Sequence, residues 1–448
     1  MGRQESTHHP DGIMNENMTQ KILEDLNSMF SQEWLRKNAD KTGLIKRERK
    51  IDPTIMFWTL VLGFGVRLQR SLASLKRTYE IKSGQSIGDS SWYYRFTPEL
   101  VEFLHQCVIH GIQELARNSK VKLGKKLQNF EDILIQDSTI IRLHKSLADK
   151  FPAARSRAVA AGIKVSVLVS AVAHGPKSVS LFGERVSDIK TLKIGSWVKD
   201  RVLLIDLGFY KHHIFTRIDE NGGYFVSRWK KVADPTIISV TGGLSKDLQD
   251  KIVGKKLSEI LPILPENGIL DAIVEVSFKR RIYKGLQRQD TQSFRLVGVY
   301  NEESEKYHIY LTNIQADTLG PEDIARLYGA RWDIELLFKE LKSKYAFDVL
   351  KTKNEQIIEA LIWTGILTLI VSRRLHGLLR ELNPDQPIVR FTQLRWSIIF
   401  AENASDILTE ILKFNGITRT FELMLAVSSS QALDPHVNRE RFRSEWWA

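Results

Sequence analysis

The sequence predicts an α/β protein: a mixed sheet covered by helices, interrupted by an all-β segment, between helical N-terminal and C-terminal regions. Three observations predict it. Apolar residues recur with helical spacing from Trp34 to Leu127, the period turns strand-like after the basic linker Lys120–Lys126, and helical spacing returns at Pro321. With 448 residues the chain is long enough for two to four units.

Residues 1–30 read as a loosely ordered lead, and 31–127 as a helical domain. In that domain Arg47, Arg49 and Lys50 precede an apolar helix beginning near Pro53, a residue suited to a first helical turn. Ser71–Tyr79, a turn around Gly84, and Asp89–Phe96 make a candidate helix-turn-helix, whose second helix would offer Ser90, Ser91, Tyr93, Tyr94 and Arg95 to a DNA groove. An ordinary helical hairpin fits the same pattern. Next come a short buried run Ile133–Ile135, an alternating strand around Val165, Val167 and Val169, and a strand at Val179 and Leu181. A short helix near Asp188–Val198 and a very apolar strand Val202–Ile205 follow. Between Trp229 and Asn313, Ile273–Phe278, Phe294–Tyr300 and Tyr307–Thr312 alternate as strands of an all-β insertion, about 230–315. A helix from Pro321 to about Lys344, with Glu322 and Asp323 favouring its start, and a second from Glu355 to Leu379 lead into a helical C-terminal region, 373–448.

The formal charge of +12 points to a polyanionic partner, either nucleic acid or an acidic membrane surface. The apolar runs Thr54–Val66 and Ala360–Val371 are shorter than the ~20 residues of a spanning helix, and Met1–Met18 has no apolar signal core, so nucleic acid is the favoured partner. Cys107 is the only cysteine, which excludes an intramolecular disulfide and a thiolate zinc site and suits a reducing compartment.

Asp137 and Asp206 each end an apolar run, Ile133-Leu134-Ile135-Gln136 and Val202-Leu203-Leu204-Ile205. A carboxylate at the end of a buried strand is costly to desolvate unless a positive group or hydrogen bonds compensate it. A metal ion is one compensator and a hydrogen-bonded turn the commoner one; two such residues on neighbouring strands favour the metal. On the helix from Pro321, at ~100° per residue, Tyr328, Arg331, Glu335, Lys339 and Lys342 fall within roughly 80° of arc beside the apolar stripe Leu327, Ile334, Phe338 and Leu341. The plain alternative is a solvated face on which Glu335 pairs with Arg331 and Lys339 at i±4.

Tyr328-x2-Arg331-x3-Glu335-x6-Lys342 resembles the YREK signature of bacterial and archaeal insertion-sequence transposases of the IS-four type. Asp137-Ser138-Thr139 and Asp206-Leu207-Gly208-Phe209 resemble the family's two acidic motifs, and Tyr310-Leu311-Thr312-Asn313 resembles the strand closing its β insertion. The resemblance covers roughly Ile51 to Ser372. It implies a ribonuclease-H-like catalytic domain over 128–372, a mixed five-stranded sheet flanked by helices and interrupted by the β insertion. It implies that Asp137, Asp206 and Glu335 hold two Mg²⁺ ions, with Mn²⁺ a possible substitute, and that Tyr328, Arg331, Lys339 and Lys342 contact DNA phosphates. The implied partners are double-stranded DNA, as terminal inverted repeats and target, and a second copy of the chain with the C-terminal region in the dimer contact. The implied location is the bacterial or archaeal cytoplasm, on the nucleoid. Excision through a hairpin is common in this branch and calls for an aromatic platform under a flipped base. Some members use an insertion tryptophan where this chain has His308. Trp229 and Tyr307 are nearby, core packing suits Trp229 better, and the platform stays unassigned. His212-His213 lack ligand-spaced partners and read as packing or surface residues. Lys279, Arg280 and Arg281 could track DNA or form a solvated turn. Arg441, Arg443, Trp446 and Trp447 close the C-terminal region. A stand-alone nuclease with the same site, or a DNA-binding protein derived from a transposase, are the alternative readings; the presence of all three acids weakens the second.

Overall fold

The computed structural model describes residues 16–46, 50–64, 71–119, 122–154, 160–280, 285–345, 347–348, 350, 352–382 and 392–418. It is a mixed α/β protein with one large sheet and helical termini, in two compact units. One unit joins residues 1–114 and 340–448, and the other spans 115–339. The chain passes between them inside two helices, α6 and α12, so these units divide it at other points than the sequence-based boundaries at 127 and 372.

The first unit begins with α1 (Glu16–Met29), α2 (Gln32–Lys41), α3 (Pro53–Phe64), α4 (Leu72–Ser83), α5 (Asp89–Tyr93) and α6 (Pro98–Arg117). Pro53 stands at the first turn of α3, whose side chains are nearly all buried. In α6, Gly111 lets the backbone come against Phe30 and Ile370: a Cβ there would lie 2.8 Å from the Phe30 ring. Ser71 caps α4 by accepting from the Ser74 N–H, and Gly84 ends it in the left-handed region at φ 66°. The second helix of the candidate helix-turn-helix, α5, is only five residues long. Trp92 is buried against Tyr79 while Tyr93 and Tyr94 are exposed. Arg47 and Arg49 lie outside the described residues.

The second unit is built on β1 (Asp132–Leu143), β2 (Ala161–Ser170), β3 (Gly175–Gly183), α7 (Asp188–Thr191), β4 (Arg201–Ile205), α8 (His212–Glu220) and β5 (Tyr224–Arg228). β6 (Thr236–Gly242), α9 (Lys246–Ile252), α10 (Leu257–Ile260), β7 (Ile269–Lys279), β8 (Gln289–Asn301) and β9 (Lys306–Thr312) follow, then α11 (Pro321–Gly329) and α12 (Trp332–Ser343). The strands form a single nine-stranded sheet in the order β3-β2-β1-β4-β5-β9-β8-β7-β6. Among the described residues, only β1–β4 and β4–β5 are parallel pairs. The sequence suggested a five-stranded sheet interrupted by an all-β insertion. In the structure β9 returns beside β5, Val226 opposite Thr312, and β8, β7 and β6 continue the same sheet beyond it. The reason is the free edge of β5, whose unpaired backbone groups would otherwise be left open.

Three further elements differ from the sequence expectation. β1 does not stop at Asp137: it continues to Leu143, paired with β2 throughout. The stretch Asp188–Val198 resolves into α7 and a 3-10 turn, Ser196–Val198. The single helix expected from Pro321 to Lys344 divides at Ala330–Arg331, where Ala330 and Arg331 donate to Leu327 and Tyr328, three residues back. This tightened turn replaces α-helical spacing, so the side chains on either side of it do not share one helical wheel.

Returning to the first unit, α13 (Glu355–Leu382) and α14 (Gln393–Phe414) complete the described chain. The helix around Ala360–Val371 is longer than its apolar run. It is the one described helix long and apolar enough to cross a membrane, but 83% of its apolar window is buried inside the protein. Arg441, Arg443, Trp446 and Trp447 lie outside the described residues.

The loop from β9 to α11 is tied to the sheet by Arg295 on β8. Its guanidinium makes two 2.8 Å bonds to Asp271 on β7 and donates to the Ile314 and Leu319 carbonyls at 3.1 and 2.7 Å. Both members of the pair are buried. Removing one partner of a buried, fully bonded ion pair leaves the other charge stranded. Arg295→Ala is expected to destabilise the second unit by about 3–5 kcal/mol, measured by urea unfolding.

Candidate active site at the end of the parallel strands

The parallel register of β1 and β4 pairs Gln136 with Ile205 and stops there, because β4 ends. Asp137 and Asp206 are therefore the next two positions of neighbouring strands. Since side chains alternate along a strand, they leave the sheet on the same face. β1 keeps its β2 partner at this point, Asp137 opposite Val167, while its β4 side is open. Asp206 has turned out of the strand as the cap of the 3-10 turn Leu207–Phe209 and accepts from the Gly208 N–H at 3.3 Å. The hydrogen-bonded turn weighed from the sequence is thus present at Asp206. At Asp137 it supplies only the neighbouring Ser138 N–H, at 2.7 Å.

That single bond does not compensate the charge. The Asp137 carboxyl is pushed up to about 6, chiefly by burial; the Ser138 N–H is the main opposing effect, and the charges of Asp206, Arg331 and Asp188 follow, the two carboxylates raising it and the guanidinium lowering it. Asp188, the first residue of α7, was not singled out from the sequence. Its carboxylate accepts from the Ser138 hydroxyl at 2.9 Å and from Lys164 on β2 at 2.8 Å. Lys164 is itself buried and donates to the Val186 carbonyl. The available signal was a lysine between the apolar residues Ile163 and Val165 of β2, since buried ammonium groups take partners.

Over this pair lies the α11–α12 junction. Tyr328 is buried, its hydroxyl 3.4 Å from the Ile205 carbonyl at the end of β4. Arg331 sits in the tightened turn, 5.9 Å over the Tyr328 ring, and bonds Glu335 at 2.5 Å. Its guanidinium also feels the charge of Asp206. The i,i+4 pairing weighed from the sequence is therefore formed between Glu335 and Arg331. Lys339 is exposed and Lys342 half-buried, both on α12. The structure thus brings Asp137, Asp206, Tyr328 and Arg331 together, while Glu335 is turned to Arg331. Among the described residues, no three His, Cys, Asp or Glu side chains are gathered closely enough to hold a metal ion.

The other candidates resolve as packing or surface residues. Trp229 packs on the core with its indole N–H on the Ala233 carbonyl, and Tyr307 donates to the Pro265 carbonyl at 2.7 Å. His308 lies 3.3 Å from the Ser304 hydroxyl. His212, its pKa pushed down to about 4 mainly by burial, lies 3.4 Å from the Tyr210 hydroxyl. Arg280 bonds Glu220 and Asp290, and Arg281 lies outside the described residues. Trp332, beside Arg331 in the signature, is 58% exposed.

Residues 128–371 match the family described as the transposase DDE domain. The chain belongs to that family: it is a DNA-cleaving enzyme of the DDE transposase class. Its relatives are transposases of insertion sequences. The IS231B transposase of Bacillus thuringiensis subsp. berliner is 24% identical over 386 residues, 79% of each chain. The IS1151 transposase of Clostridium perfringens is 21% identical over 336 residues, 67% of this chain and 69% of that one. Among solved structures, a piggyBac transposase synaptic complex with hairpin DNA aligns at a TM-score of 0.45 and 12% identity, over 93% of this chain and 86% of that chain.

A raised carboxyl pKa favours folding while the group stays protonated, so the contribution of Asp137 is full below its ordinary value of 3.8 and is lost as pH rises through about 6. The loss is on the order of 3 kcal/mol. Asp137→Asn in chelator is expected to be more stable than the unsubstituted chain at pH 8, by up to this amount, with the gap closing by pH 4. Denaturant unfolding across that range checks it; equal stabilities at pH 8 would mean that the charge is compensated after all.

Proposed function

We propose that the chain excises an insertion sequence at its terminal inverted repeats and joins it to target DNA, with Asp137, Asp206 and Glu335 as ligands of two Mg²⁺ ions. The observation that carries this reading is the pair Asp137–Asp206, adjacent by strand register and left with uncompensated negative charge. The strand order β3-β2-β1-β4-β5 is read as a ribonuclease-H-like core, with 230–315 its insertion.

The donor set fits the metal. Carboxylate oxygens are hard ligands, and a divalent cation held by them would offset the burial and the negative field that raise the Asp137 carboxyl. When bound, two such ions polarise the scissile phosphate and stabilise charge on the attacking and leaving oxygens; Mn²⁺ is able to substitute. The residues do the rest. In DNA-free protein Arg331 holds Glu335. A DNA phosphate competes for that guanidinium, and Glu335, released, completes the acidic set with Asp137 and Asp206. Lys342, Lys339 and the Tyr328 hydroxyl add phosphate contacts that position the backbone. A water oxygen displaces the 3′ oxygen at the element's end, and the freed 3′-hydroxyl then displaces an oxygen of a target phosphodiester. Exposed Trp332 offers a stacking surface beside the cut, which suits excision through a hairpin. The helices of residues 31–127 read the terminal repeats, with Tyr93 and Tyr94 of the α5 region exposed for it. Two copies act together on paired ends, in the bacterial or archaeal cytoplasm.

Single Ala substitutions of Asp137, Asp206 or Glu335 are expected to slow Mg²⁺-dependent nicking of a terminal-repeat duplex at least about a thousandfold, equivalent to ~4 kcal/mol of barrier, with binding of the duplex retained. Normal nicking by any of them removes that residue from the site. Arg331→Ala is expected to flatten the salt dependence of end binding by about one unit of log–log slope, and an unchanged slope speaks against its phosphate contact.

A further inference from the structure

We propose that a basic groove beside the inserted strands is a track for the phosphate backbone of duplex DNA of arbitrary sequence, the DNA lying beyond the element's end. This rests on the transposase reading above and adds a second DNA contact to it. The groove, about 760 Å³, lies in the second unit between the start of α8, the segment after β5, and strands β6 and β7. Five cationic side chains, Lys211, Lys230, Lys256, Lys279 and Arg280, line it against two carboxylates, Asp234 and Glu275.

The charge is not cancelled locally. Asp234 is already engaged, accepting from the Ser258 N–H and hydroxyl at 2.8 and 2.7 Å. Lys256 donates to the Thr236 hydroxyl, and Arg280 is held by Glu220 and Asp290. Among the described residues, no ion pair holds Lys211, Lys230 or Lys279, and all three are exposed. His212 on the same wall is kept neutral by burial and by the positive field of Lys211 and His213.

The chemistry of the lining argues for backbone rather than base contact. Base edges are read by forked or amide side chains, and the lining holds one amide, Gln287, while its single arginine is already paired. Lysine offers a point charge on a flexible stem, suited to phosphates of any sequence. Placement argues for DNA close to the cut. Lys211 follows Asp206 by five positions, which an extended chain spans in at most about 18 Å. A duplex turn is ~34 Å, so a duplex held at Asp206 reaches this groove within one turn. The element's end carries its own sequence; the DNA across the cut does not. Flanking DNA before excision and target DNA before joining present the same phosphate chemistry there.

The test measures binding of the full chain in chelator across a salt series. The probes are a duplex ending flush at the element's terminus, the same duplex with about 20 further base pairs of flank, roughly two helical turns, and a random-sequence duplex. In the unsubstituted chain the flank is expected to raise affinity and steepen the salt dependence. In Lys211→Ala/Lys230→Ala/Lys279→Ala that increment is expected to disappear, with a log–log slope lower by up to about 2.7. A parallel loss on random duplex extends the track to target DNA, and a loss confined to the flanked probe assigns it to the flank. A flank increment that survives intact in a variant with unaltered thermal unfolding overturns the proposal. A chain that cuts no ends with Mg²⁺ yet shows the lysine-dependent increment contradicts the transposase reading and leaves the groove standing.

Discussion

The site depends on where β4 stops. Parallel strands β1 and β4 are in register up to Gln136 and Ile205, and the next residue on each is an aspartate. Alternation along the strands sends both carboxylates to one face, and the end of β4 opens the backbone beside them. Two like charges in a half-buried notch repel, and burial removes the water that would screen them. The pair of buried Lys164 with half-buried Asp188 does not relieve this, because it adds a third carboxylate to the field acting on Asp137. Above, the Tyr328 ring and Arg331 border the notch without filling it. The arrangement is costly in charge, and on the proposed function a divalent cation offsets that cost.

Glu335 stands outside this notch in the DNA-free protein, and magnitudes show that its pairing is no obstacle. An i,i+4 ion pair on a helix contributes a few tenths of a kcal/mol, and partial exposure weakens it further; Glu335 is 35% exposed. A doubly charged divalent ion beside two carboxylates, or a phosphate beside Arg331, outweighs that easily. The tightened turn at Ala330–Arg331 is suited to such a change. It places Arg331 between the buried Tyr328 and the start of α12, where it meets Glu335 and the field of Asp206; the phosphate contact belongs to the proposed function. On that function, the acidic triad assembles when DNA arrives, and until then Glu335 rests on Arg331.

Much of this was legible in the chain. Asp137 and Asp206 follow runs apolar enough to mark strands, and the spacing of Tyr328, Arg331, Glu335 and Lys342 marked their helix. Other features depend on partners distant in sequence. β1 runs on past Asp137 because β2 pairs with it, although the polar Ser138 and Thr139 hide the continuation. β5 is a five-residue strand whose place is set by β4 and β9, and its pairing with β9 joins the later strands to the same sheet. The break at Ala330 lies inside a strongly helical pattern and shows only in the hydrogen bonds. Asp188 and Lys164 meet across 24 positions, and no local motif announces them. Trp332 was visible beside the signature, but its exposure belongs to the fold.

The central claim is that the two aspartates and Glu335 form one divalent-cation centre when DNA is present. Anomalous scattering from Mn²⁺, in crystals of the chain bound to a nicked terminal-repeat duplex, tests it most directly. The account predicts metal peaks held by the carboxylates of Asp137, Asp206 and Glu335, with Arg331 moved onto a phosphate. Metal absent from this notch, or bound elsewhere while Glu335 stays on Arg331, would contradict it.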